Sequence, residues 1–120
     1  MFEGHDTTAA ALVWLLFMLG THEDIQQRCY EEINSICGPF GDVNYEDLSK
    51  LTYLECCVKE TLRLYPSAPF ITRTLGRNAK IGGHELPEGT QVMMNIYLIH
   101  RDPEQWKDPE IFNPDRLKIK

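Results

Sequence analysis

Between Gly4 and Gly20 the chain carries neither glycine nor proline, and from Ala9 to Leu19 it is almost wholly apolar. This predicts a helix from about Phe2 to Leu19, closed by Gly20 as its C-cap. A helix that is apolar nearly all round must be enclosed, and a two-layer domain of 120 residues would leave one side of it wet. The expectation is a helix from the middle of a larger protein. The apolar run is too short to cross a bilayer, which takes about 20 residues, and no charged region precedes it, so neither an anchor nor a signal peptide is expected within it. Met1 leads directly into Phe2-Glu3-Gly4-His5-Asp6, as if the helix were already under way, so Met1 is not expected to be a true start.

With 25% charged and 42% hydrophobic residues, the chain is foldable material for one domain or part of one. A formal net charge of −6 offers no basic field to gather phosphates, which removes nucleic acid as a partner. The four cysteines, Cys29, Cys37, Cys56 and Cys57, form no CxxC pair and have no histidine at zinc-ligand spacing. They are expected to be reduced and buried, as in an intracellular protein.

Thr21 followed by Asp24 reads as a capping box, and Ile25, Cys29, Ile33 and Ile36 mark one face of a second helix up to Gly38-Pro39. A loop over 40–44 and a helical turn around Tyr45–Lys50 precede a second capping box, Thr52 with Glu55. That box opens a third helix, Thr52–Tyr65, stopped by Pro66. Short strands follow at Phe70–Leu75, Lys80–Ile81 and Thr90–Asn95, parted by Gly82-Gly83 and Pro87-Glu88-Gly89. A brief helical stretch at Tyr97–His100 then gives way to a coil with Pro103, Pro109 and Pro114, pinned by Trp106 and Phe112. The fold class is mainly α with a small β-sheet (α+β), and no internal repeat is present.

In the third helix Glu60 and Arg63, three residues apart, lie on one face where carboxylate and guanidinium can pair. Alone, such a pair is ordinarily a solvated surface bridge worth under about 1 kcal/mol. A further arginine, Arg116, stands in Phe112-Asn113-Pro114-Asp115-Arg116-Leu117, within a coil that has no regular backbone pairing and needs an anchor. These two segments resemble the Glu-x-x-Arg and Pro-Glu-Arg-Phe motifs of the cytochrome P450 family, with Asp115 in place of glutamate and Leu117 in place of phenylalanine. The resemblance implies that Glu60, Arg63 and Arg116 interlock as a buried structural triad holding the coil that leads to the haem ligand.

Upstream, Glu3-Gly4-His5-Asp6-Thr7-Thr8 is similar to the oxygen-activation motif of that family, in the long helix over the haem. Glycine leaves room for a small ligand against the helix, and the Thr7 hydroxyl can both donate and accept a hydrogen bond. A threonine within a helix can also bond the carbonyl four residues back and open a groove. The resemblance makes Asp6 and Thr7 the catalytic proton-relay pair and puts Gly4 against the cofactor. The plainer meaning of Asp-Thr-Thr before an apolar run is a helix N-cap. Glu3 resembles the form found in family 4, the class containing fatty-acid ω-hydroxylases, where in several members this glutamate is esterified to a haem methyl. An ordinary solvated carboxylate is its alternative. His5, about 100° round the helix from Gly4, is expected to make a packing or polar contact, and no histidine metal site is expected.

Arg73 matches a basic residue that pairs with a haem propionate in many family members, although a strand arginine is more often a surface charge. Pro69, Phe70 and Ile71 correspond to a substrate-contacting stretch, and Phe2 to another, implying an apolar pocket. The iron-ligating cysteine of the family lies in a loop shortly after the proline-rich coil. It is expected outside this chain, since Cys29, Cys37, Cys56 and Cys57 all lie on helices. The chain is accordingly expected to be an internal fragment, inactive alone, of a single domain. Its parent would be a haem-thiolate monooxygenase acting on fatty acids, hormones or xenobiotics. The implied cofactor is haem (protoporphyrin IX iron), and the implied partners are O2 and an NADPH-cytochrome reductase, since no flavin or nicotinamide fingerprint is present. The implied location is the cytoplasmic face of the endoplasmic reticulum membrane, through a segment absent here. Two rivals are a haem-thiolate isomerase or dehydratase, which often lacks an acid-alcohol pair such as Asp6-Thr7, and a non-catalytic truncated chain.

Overall fold

The computed structural model describes residues 3–38, 41 and 43–118 and, of Glu3, the backbone alone. Phe2 lies outside the described residues. Helix α1 (Glu3–Thr21) continues through Gly20, so Gly20 is not its C-cap. The terminal carbonyls are taken by side chains instead. The Thr21 hydroxyl donates to the carbonyls of Phe17 and Met18, at 3.0 and 3.1 Å, and His22 Nδ1 lies 2.8 Å from the Met18 carbonyl oxygen. Thr21 therefore belongs to α1 and opens no capping box. His22 occupies the N-cap of α2 (Glu23–Cys37) without a side-chain cap, and Glu23 and Asp24 favour the positive end of the helix dipole.

A short α3 (Tyr45–Leu48) begins where the Asp47 carboxylate accepts the Asn44 N–H at 3.1 Å. Helix α4 (Thr52–Leu64) starts one residue after Leu51, which stands at the N-cap and cannot cap with its side chain, so the expected Thr52–Glu55 box does not form. Glu32 of α2 takes that part, accepting from Tyr53 N–H at 2.7 Å, Leu54 N–H at 2.9 Å and the Thr52 hydroxyl at 3.2 Å. At the other end Tyr65 is the C-cap, its N–H donating to the Thr61 carbonyl at 2.7 Å just before Pro66.

The strands form two separate antiparallel pairs, not one sheet. Strand β1 (Phe70–Thr74) pairs with β4 (Gln91–Asn95), and β2 (Ala79–Ile81) pairs with β3 (His84–Leu86), a strand the sequence pattern did not reveal. Gly82 and Gly83 join β2 to β3 at φ of 58° and 88°, backbone that side chains with a Cβ resist. Helix α5 spans Ile96–Ile99, one residue earlier than its apolar pattern suggests, because the Asn95 side chain caps it by accepting the Leu98 N–H at 3.1 Å. Within the coil, Pro114–Leu117 closes into a 3-10 turn, capped by the Asn113 side chain on the Asp115 N–H.

Leu15 and Met18 of α1, Ile25 and Cys29 of α2, and Tyr53, Cys57 and Leu64 of α4 share one core with Phe112 from the coil. Ile33 and Ile36, on the face the sequence marked, are only half-buried. Trp14 stacks on Tyr65 at 4.1 Å between ring centroids. The opposite face of α1 is bare, with Leu16 at 69% exposure beside Leu12, Val13 and Phe17, which is the wet side expected of a helix apolar all round. Cys29, Cys56 and Cys57 are free and buried, whereas Cys37, in the last turn of α2, is half-exposed. Among the described residues, no helix is long and apolar enough to cross a membrane.

Candidate functional site

The ordering element of the coil is Glu60, which α4 carries into the protein with no exposed surface while Arg63, one turn on, retains 3% exposure. Arg63 forks onto the carboxylate, Nε to Oε2 at 2.8 Å and Nη2 to Oε1 at 2.9 Å. Oε1 also accepts Arg116 Nε at 2.9 Å and the Asn113 N–H at 3.0 Å. A buried carboxylate is tolerable on these terms, because charge and lone pairs both find partners.

Neither guanidinium is spent on Glu60 alone. Arg63 donates through Nη1 to the carbonyls of His100 and Pro109, both at 2.7 Å, and through Nη2 to that of Ile111 at 3.3 Å. Arg116 donates to the carbonyls of Lys107 at 2.6 Å, Asp108 at 3.1 Å and Ile111 at 3.2 Å. The coil has little backbone pairing of its own, and the two arginines satisfy its carbonyls in place of a sheet or helix. Asp108 is held at φ 48°, left-handed backbone that aspartate tolerates better than most residues. Trp106 lies with its ring 5.1 Å from the Arg63 guanidinium, and Phe112 is buried in the helical core, so the two aromatic pins grip different sides of the coil.

Gly4, His5, Asp6, Thr7 and Thr8 form a second, exposed group in the first turns of α1. Since α1 already runs from Glu3, Asp6 and the two threonines lie inside the helix and do not cap it. The hydroxyl that turns back on the helix is that of Thr8, donating to the Gly4 carbonyl at 3.3 Å. The Thr7 carbonyl instead accepts from the Ser67 hydroxyl at 2.9 Å, which ties this turn to the approach to β1. A Cβ built on Gly4 would meet nothing within 4 Å, so no internal contact among the described residues requires glycine there. His5 is exposed.

Pro69 holds the end of the β1–β4 pair, its carbonyl accepting the Ile96 N–H at 2.9 Å. Along β1 the side chains alternate, so Ile71 and Arg73 share a face with their partners Met94 and Val92, while Phe70 points to the other side. Phe70 and Ile71 therefore cannot line one wall together. Arg73 is exposed, and among the described residues its guanidinium bonds the adjacent Thr72 carbonyl at 3.4 Å.

Two contacts joining the site to α2 have no local pattern to reveal them. Arg28 grips Asp115 from 87 positions away, and Glu32 caps α4. Arg28, with Lys118, holds the Asp115 carboxyl well below the usual range. Burial pushes the Cys57 thiol up strongly and the Tyr53 phenol up to about 12, which leaves both neutral and unreactive near neutrality. Among the described residues, no three His, Cys, Asp or Glu side chains group as a metal site.

A family model described as cytochrome P450 matches residues 1–118. The chain is 45% identical over 118 residues to cytochrome P450 4V2 of Mus musculus, and 48% identical over 122 residues to cytochrome P450 4c3 of Drosophila melanogaster. Each match covers 98% of this chain and 22% of the relative, so the chain spans less than a quarter of their length. A solved structure of a zebrafish cytochrome P450 with progesterone aligns at a TM-score of 0.89 and 32% identity, over 94% of this chain and 27% of that one.

Proposed function

The chain belongs to the cytochrome P450 family, and from that premise we propose that it is the part of a haem-thiolate monooxygenase that runs from the oxygen-activating helix to the coil before the iron ligand. The observation that carries this reading is the buried Glu60 carboxylate holding Arg63 and Arg116, whose remaining donors take the carbonyls of residues 100, 107, 108, 109 and 111. A coil held this rigidly suits a segment that must deliver a ligand to a fixed point.

The residues present fit a haem. An apolar disc edged by carboxylates needs an apolar wall, one place free of side chains, and a cation within reach. The exposed face of α1, the open space at Gly4, and Arg73 beside Ile71, Val92 and Met94 offer these. Haem bound here would supply the oxygen activation.

The chain's own part is orientation and proton traffic. Gly4 admits a small ligand close to the helix, and the Thr7 hydroxyl hands a proton across the gap. Asp6 refills that hydroxyl from solvent, which its exposure permits. Arg73 pairs with a propionate. Pro69 and Ile71 bound the substrate side and Phe70 another wall, with Phe2 a substrate contact by the family resemblance alone. Glu3 is the residue that would be esterified to a haem methyl, as in several members of family 4, the two electrons and the proton of the broken C–H bond going to an O2-derived oxidant. The substrates are lipophilic: fatty acids, hormones or xenobiotics. Electrons come from an NADPH-cytochrome reductase at the cytoplasmic face of the endoplasmic reticulum membrane.

The test is turnover of the encoded full-length protein with reductase, NADPH and a medium-chain fatty acid. Hydroxylated product in step with NADPH oxidation is expected, and Thr7→Ala should divert most of the reducing equivalents to peroxide. A rearranged or dehydrated product formed without NADPH would identify an isomerase or dehydratase instead.

A further inference from the structure

Arg28 belongs to no motif, yet it makes a forked contact with Asp115, Nη1 to Oδ2 at 3.0 Å and Nη2 to Oδ1 at 2.9 Å. The same guanidinium lies over the Tyr53 ring, 4.0 Å from its centroid, so one side chain of α2 touches both α4 and the 3-10 turn. Lys118 adds a second cation to Asp115. In a 3-10 turn consecutive side chains diverge by about 120°. Asp115 accordingly faces α2 while its neighbour Arg116 turns inward to Glu60. Anchors on adjacent residues, pulling toward different walls, fix the rotation of the turn as well as its position.

We propose that Arg28 is a positioning residue of the haem-binding coil, clasping Asp115 so that Arg116 is aimed at Glu60. This rests on the haem-thiolate reading above, in that the coil is the one leading to the iron ligand. The side chains of Arg28 and Asp115 are 42% and 44% exposed, so the clasp adds little to global stability. Its effect is on where the turn points.

The experiment is a double-mutant cycle in the encoded full-length haem protein, with Arg28→Met, Asp115→Asn and the pair together. Two readouts are followed: amide hydrogen exchange over residues 113–118, and the rate at which the thiolate-type carbon monoxide band is lost on mild warming. Each single variant should raise both rates about fivefold, and the double variant also about fivefold, not the roughly twenty-five-fold of independent effects. Helix content should be unchanged in all three. Wild-type rates in the single variants, or multiplicative rates in the double, would overturn the clasp. If the wild-type protein shows no thiolate band, the haem-thiolate reading fails, and hydrogen exchange still decides whether Arg28 holds the turn.

Discussion

Arg63 lies against Glu60 as a planar fork on a planar carboxylate, with contacts of 2.8 and 2.9 Å and both side chains sealed from water. One turn of helix brings the two together, but the geometry is useful because the remaining donors of Arg63 reach a coil roughly 40 to 50 residues further along the chain. The ion pair is less a stabiliser in its own right than a hub through which a helix organises a segment without secondary structure of its own.

Removing the carboxylate charge strands two guanidinium groups. Glu60→Gln in the full-length protein should cost roughly 3 to 5 kcal/mol, read as a lowered urea midpoint. A cost under about 1 kcal/mol would mean that the carbonyls alone suffice to hold Arg63 and Arg116.

Glu32 supplies from another helix the cap that Leu51 cannot provide. Glu32→Ala should therefore destabilise by about 1 to 2 kcal/mol, the scale of a lost N-cap. Thr52→Ala should cost much less, since it leaves both backbone contacts to the carboxylate in place. Equal effects of the two variants in chemical denaturation would contradict this division.

Asp115 has its carboxyl pKa lowered, first by the hydrogen bond from Arg28 and then by that from Lys118. A depressed carboxyl favours the folded state above its unfolded pKa, about 3.9, and loses that contribution as pH falls toward the folded value. The stability difference between wild type and Asp115→Asn, small for so exposed a pair, should be constant from neutrality down to about pH 4 and shrink below it. A difference that grows on acidification would have the wrong sign for this pair.

Gly4→Ala separates folding from function. Within a helix alanine is favoured over glycine by up to about 0.5 to 1 kcal/mol, and a Cβ at this first-turn position meets nothing among the described residues. The variant should unfold at equal or higher denaturant while oxygen-dependent turnover falls at least tenfold. Full turnover would remove the need for open space beside this turn.

The sequence made the three long helices legible because their signals are local: apolar periodicity, a run without breakers, and Pro66 as a stop. Their ends were less legible. Thr21 closes α1 where it had the look of a cap for α2, and the cap of α4 comes from Glu32, twenty residues upstream of Thr52. Strand β3, three residues of mixed polarity, has no periodicity to detect. At the site, the spacing of Glu60 and Arg63 describes a surface bridge as well as a buried one. What buries it is the coil folded over it, with Trp106 against the Arg63 guanidinium, and the path of that coil depends on the arginines themselves. That circular dependence is why family resemblance, and not local pattern, pointed to Arg116, and why Arg28 passed unnoticed.

The most direct test is a reduced carbon monoxide difference spectrum of the encoded full-length protein, recorded for wild type and for Glu60→Gln. The strongly red-shifted Soret band of a thiolate-bound haem is expected in the wild type and should be lost or greatly weakened in the variant. Absence of bound haem in the wild type, a band of nitrogen-ligated type there, or an undiminished thiolate band in the variant would contradict the account.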